Sequence, residues 1–169
     1  MTTTTDTELN QSLRFDQLSD SQQKSFWKQP TPVLVRLAAG FQLYKWTQYG
    51  LINPYNGSAS EYWSPWAPMT SGNIQVPGFS ELRTRYQNIN GGVGRPQEFA
   101  RARSAVTQEW NTMSSLTKAE LSLPVWGFLG TCAPQPVTQS EEASRKVLFI
   151  GGNYQLVIPN MTAKHIFKL

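Results

Sequence analysis

The feature that most constrains this chain is a set of short β-branched and aromatic runs, each cut off within a few residues by Gly, Pro or Asn. Val33–Leu37, Phe41–Thr47, Leu123–Leu129, Val147–Ile150 and Tyr154–Ile158 all have this character. Runs of that length with breakers on both sides read as strands. Within Phe41–Thr47 the apolar residues alternate, so Phe41, Leu43, Lys45 and Thr47 share one face and Gln42, Tyr44 and Trp46 the other. Lys45 is thereby placed among apolar neighbours.

Helical periodicity is confined to two places. A short helix is predicted between Asp16 and Lys28, ended by Pro30 and Pro32. A longer amphipathic one is predicted over about 96–117. It opens on Pro96, and Phe99, Ala102, Val106, Trp110, Met113 and Leu116 recur at spacings of three and four. From Gln48 to about Gly94 the chain is rich in Gly, Pro, Asn and Ser, a stretch without regular elements that reads as a functional loop. Thr162 to Phe167 reads as one terminal helical turn. The fold class is therefore α+β, with a polar, disordered tail over 1–12 and one globular domain over 13–169.

Composition narrows the function. With 169 residues and one cysteine, the chain suits a reducing compartment and needs no disulfide framework. Met1–Glu8 lacks the basic start and apolar run of a signal peptide, and no apolar stretch approaches the about 20 residues of a membrane span. A soluble protein follows, cytoplasmic or secreted without a cleavable signal peptide, with no membrane partner. Only 15% of residues are charged, the net charge is +4, and Lys and Arg are scattered. Nucleic acid is not an expected partner, because that role needs a basic stripe.

The usual catalytic sets are missing. One His and one Cys without clustered carboxylates assemble no usual metal site. Ser-His-Asp chemistry would need His165, which reads as an ordinary structural residue, and Cys132 reads as a buried, inert thiol. Asn90–Pro96 is Gly-rich but lacks the Gly-Lys-Ser/Thr ending of a phosphate loop, so it reads as a plain turn.

Two ordered blocks remain. The first is Leu37-Ala-Ala-Gly-Phe-Gln-Leu-Tyr-Lys-Trp-Thr47, continuing to Trp63-Ser-Pro-Trp66. The second runs from Leu123 to Pro159 and ends in Gly-Gly-Asn-Tyr-Gln155-Leu-Val-Ile-Pro. In this order they resemble the start and end of necrotizing-toxin-type NAD glycohydrolase domains. Those domains carry an Arg where Lys45 stands and Gly-Thr where Asn153-Tyr154 precedes Gln155. The resemblance implies the ADP-ribosyltransferase-like fold, a split, mainly antiparallel sheet that grips NAD, and a toxin or effector that takes NAD as substrate without a further cofactor.

It also implies residue roles. Gln155 and Lys45 are the catalytic candidates, Gln155 orienting ribose or water and Lys45 or Arg36 meeting the diphosphate. Ser64 bonds a ribose hydroxyl, and Tyr62, Trp63 or Trp66 stack on nicotinamide. The triplet Asn153-Tyr154-Gln155 has no carboxylate to deprotonate an acceptor, so hydrolysis is favoured over ADP-ribosyl transfer. Each residue also has a structural reading. Lys45 snorkels to water, the tryptophans pack, Ser64-Pro65 shapes a turn and Gln155 pairs with backbone. The alternative function is a non-catalytic protein-binding or assembly module, with an aromatic surface at Tyr62–Trp66 and a partner such as an immunity or assembly protein.

Overall fold

Strand β3 (Tyr62–Pro65) divides its hydrogen bonds between two neighbours, and the rest of the architecture follows from that division. The structure, a computed structural model, describes residues 7–47, 49–88, 115–136, 148–149 and 152–169. Its main sheet also contains β1 (Val33–Leu37), β2 (Gln42–Thr47), β6 (Ser115–Leu121), β7 (Val125–Thr131), β10 (Tyr154–Val157) and β11 (Ile166–Lys168). The order is β1-β7-β10-β3-β2-β6-β11, and every pairing in it is antiparallel. Two small ribbons stand apart: β4 (Met69–Ser71) with β5 (Ile74–Val76), and β8 (Gln135–Pro136) with β9 (Leu148–Phe149).

The connections show that this sheet is not flat. Strands β1 and β2 lie four places apart, which in a flat sheet is roughly 19 Å at about 4.8 Å per strand. Residues 38–41 join them in a turn closed by the Phe41 N–H to Ala38 carbonyl bond at 3.1 Å, and Gly40 takes a φ of +88° there. Even fully extended, that link reaches only about 17 Å. Ser122–Pro124 makes the same four-place jump from β6 to β7. The β1-β7-β10 and β2-β6-β11 halves must therefore fold towards one another about β3.

The apolar pattern agrees. One core takes Val35, Leu37, Leu129 and Leu156 from the first half, Leu43, Ala119, Leu121 and Ile166 from the second, and Trp63 from β3. The residues alternating with these on the first half, Phe128 and Val157, face the other way and meet Leu18, Phe26 and Phe15 of the N-terminal segment. Leu43, Leu129, Leu156 and Val157 are fully buried, and burying each such side chain contributes about 1.5–3 kcal/mol.

Several expectations are corrected. Residues 96–114 of the predicted long helix lie outside the described residues. Leu116 and Thr117, placed at its end, belong to β6, because Thr117, Ala119 and Leu121 are buried at a period of two. The stretch from 48 to 94 is not without elements: it holds β3, β4, β5 and the helix α2 (Phe79–Asn88). The helix expected from Asp16 to Lys28 is a 3-10 turn, Phe15–Gln17, followed by α1 (Asp20–Lys24). Ser19 separates them by acting as N-cap for Gln22. Phe167, expected in a helical turn, lies in β11. The tail expected to be disordered is tied to the sheet from Glu8 onward. Asn10, at a φ of +63°, donates from Nδ2 to the carbonyls of Trp126 (3.0 Å) and Pro159 (2.7 Å). Among the described residues, no helix is long and apolar enough to cross a membrane.

The docking of the N-terminal segment depends on Gly130. A Cβ there would stand 2.6 Å from Phe26 Cδ1 and 3.1 Å from Pro32 Cγ. Gly130→Ala is expected to lower stability by about 1–3 kcal/mol, measured as a shift of the urea midpoint. An unchanged midpoint would show that the segment yields without cost.

Candidate functional site

Register decides which residues meet around β3. Tyr62 and Trp63 pair with Val157 and Leu156 of β10, whereas Ser64 and Pro65 pair with Tyr44 and Leu43 of β2. Past Tyr44, β2 leaves β3, and Lys45, Trp46 and Thr47 pair only with β6. Tyr154 and Gln155 likewise pair only with β7. The sheet thus opens twice: between Lys45–Thr47 and Glu61–Trp63 on one side of β3, and between Ser64 and Gln155 on the other. Lys45, Ser64 and Gln155 stand on three adjacent strands, β2, β3 and β10.

The first opening is filled from the core face. The half-buried Lys45 lies with Nζ 5.4 Å from the centroid of the Trp63 ring. Burial pushes its ammonium down to about 8, and the charge of Glu61 opposes that shift. Among the described residues no carboxylate reaches ion-pair distance of Lys45; the pairs formed are Arg14 with Asp16 and Arg36 with Glu8. Glu61 accepts instead from Gln22 Nε2. A lysine in apolar surroundings without a counter-ion costs stability, and such residues concentrate at functional sites. Strand alternation had indicated this placement, and the structure adds the charge of Glu61, the carboxylate that precedes the Tyr-Trp-Ser run.

At the second opening, Gln155 is buried on the opposite face, where its Nε2 donates to the carbonyl oxygen of Ser25 (3.0 Å) and to Ser25 Oγ (2.9 Å). Extending the β3–β10 register sets Gln155 across from Ser64. The Ser64 hydroxyl and Gln155 Oε1 have no hydrogen-bond partner among the described residues. Both are groups that a ligand hydroxyl can engage.

The remaining predicted residues are used otherwise. Trp63 is 2% exposed and donates from Nε1 to the Ser60 carbonyl at 2.8 Å, so it is a packing anchor rather than a stacking platform. Trp66 is stacked on Phe79 at 4.6 Å, with Lys118 Nζ 4.1 Å from its centroid and Tyr44 edge-on at 6.0 Å. Tyr62 packs against the N-terminal cluster, where burial, then Glu61, pushes its phenol up to about 12. Arg36 sits on the edge strand β1, away from Lys45, and donates to both carboxylate oxygens of Glu8, at 2.8 Å from Nη2 and 2.8 Å from Nε. The partner it found lies in the segment that the sequence had assigned to disorder. Trp63 is buried and Tyr62 and Trp66 are half-buried, and none of the large apolar side chains exposed among the described residues falls within 62–66. Cys132 is buried, with its thiol pushed up to about 12 by burial, and Nδ1 of the buried His165 accepts the Thr162 N–H at 3.0 Å.

Comparison with protein-family models, with curated proteins and with solved structures finds no match to this chain.

The depressed Lys45 predicts a pH dependence. Between about 8 and the ordinary 10.5 the unfolded chain holds a proton that the folded chain has lost. Lys45 therefore contributes a rise of stability with pH across that window, on the order of 2–3 kcal/mol, which the raised Cys132 thiol opposes above about pH 9. Lys45→Met is expected to abolish this rise and to be more stable than the wild type at pH 7. Urea unfolding from pH 7 to 10 measures both, and parallel curves would refute a buried ammonium.

Proposed function

We propose that the chain binds NAD at the split beside β3 and hydrolyses its nicotinamide–ribose bond. The observation that carries this reading is the placing of Lys45, Ser64 and Gln155. They come from the two sequence blocks that resemble NAD glycohydrolase domains, and they stand on adjacent strands where the sheet opens.

The chemistry suits a site with few titratable groups. The C1–N bond of the ribosyl nicotinamide breaks and its electron pair goes to the ring nitrogen, so nicotinamide leaves neutral. The ribosyl carbon becomes oxocarbenium-like. Water supplies oxygen to C1 and releases a proton, giving ADP-ribose. Such a reaction needs orientation and charge stabilisation more than a nucleophile. Gln155 Oε1 accepts a ribose hydroxyl hydrogen and holds the sugar. Ser64, across from it, completes the polar contact.

Lys45 supplies positive charge for the diphosphate. It stands on the core face, over the Trp63 ring, whereas Ser64 and Gln155 lie on the other face of the sheet. At pH 7 a group with a pKa near 8 is still mainly an ammonium. It is a point charge, so its hold on a diphosphate is weaker than a bidentate arginine's. The acceptor side favours water: among the described residues, the carboxylate beside Lys45, Glu61, is held by Gln22.

Purified protein incubated with NAD is expected to release nicotinamide. Gln155→Ala is expected to lower the rate about 100-fold or more, and Ser64→Ala about 10-fold. Circular dichroism checks that the variants fold. No release by the wild type, together with no NAD uptake by calorimetry, would overturn the proposal.

A further inference from the structure

Gln155 cannot adopt either amide orientation freely. The Ser25 carbonyl only accepts hydrogen bonds, so the Gln155 atom facing it at 3.0 Å must be the NH2 group. Ser25 Oγ is committed in the same sense. It gives its own hydrogen to the Gln22 carbonyl at 2.6 Å and offers Gln155 a lone pair at 2.9 Å. Two acceptors thus face one end of the amide, and a flip by 180° would set oxygen against oxygen at both.

Ser25 is itself fixed. It is the C-cap of α1, and its carbonyl also takes the Ala133 N–H at 2.9 Å. Within α1, Gln22 accepts the Ser19 N–H through Oε1 and holds Glu61 through Nε2. One short helix therefore anchors the residues on both sides of the split.

We infer that Ser25 is the positioning residue of the site: its hydroxyl oxygen, added to the carbonyl that any residue there would present, locks the Gln155 amide so that Oε1, and never the NH2, faces the ligand. The ligand class selected is then one that donates, such as a sugar hydroxyl, because a buried carbonyl left without a donor is costly. This inference rests on the NAD reading above, and it goes beyond it in assigning a role to α1.

The test is nicotinamide release by wild type, Ser25→Ala, Ser25→Thr, Gln155→Ala and the Ser25→Ala/Gln155→Ala pair. Ser25→Ala is expected to lower kcat about tenfold, with KM within about twofold, and Ser25→Thr to recover most of the loss. On the Gln155→Ala background, Ser25→Ala is expected to add nothing, which a general loss of stability would not reproduce. A wild-type rate for Ser25→Ala, or losses that multiply in the pair, would overturn the inference while leaving the NAD reading standing. A wild type that releases no nicotinamide overturns the NAD reading. The lock is then judged by hydrogen exchange of the Gln155 side-chain amide, expected to be slow in wild type and fast in Ser25→Ala. Equal exchange in the two overturns it.

Discussion

The structure depends on a strand too short to serve two neighbours at once. Strand β3 gives Tyr62 and Trp63 to β10 and Ser64 and Pro65 to β2, so each neighbour loses it where the other gains it. A strand's backbone groups must find partners, and this one finds them on alternate sides. The consequence is a sheet that opens beside β3 in two places. The short links at 38–41 and 122–124 then draw the two halves together over a common core.

Around that hinge, polar groups are arranged asymmetrically. On the core face Lys45 lies over Trp63 with Glu61 as its nearest charge influence, a costly placement that packing alone does not require. On the other face Gln155 is buried against α1, its nitrogen engaged twice and its oxygen not at all among the described residues. A charge with no counter-ion and an acceptor with no donor among the described residues are features that concentrate at functional sites. Both lie at the split.

The segment before β1 has more to do than its composition suggests. Leu18, Phe26 and Phe15 cover the outer face of the first half, so that β7 and β10 are buried on both sides. The Phe26 ring fits only because position 130 carries no Cβ. Glu8 ties down Arg36, and Asn10 clasps β7 to the end of β10. The same segment carries Gln22 and Ser25 to the split, which links the packing of the N-terminal segment to the geometry of Gln155.

Local pattern alone determined a good deal of this. Period-two alternation and the bounding Gly and Pro residues gave β1, β2, β7 and β10 nearly at their true limits, and placed Lys45 on an apolar face. These are nearest-neighbour effects, written in consecutive residues. Tertiary structure decided the rest, because it turns on pairings between distant segments. Leu116 and Thr117 became strand rather than helix once β2 paired with them. Trp63 and Trp66 became packing residues when the core and Phe79 closed on them. Arg36 was taken by Glu8, and Gln155 found Ser25, 130 residues away in sequence. Local periodicity says which face a side chain presents, but only the folded sheet says what waits on that face.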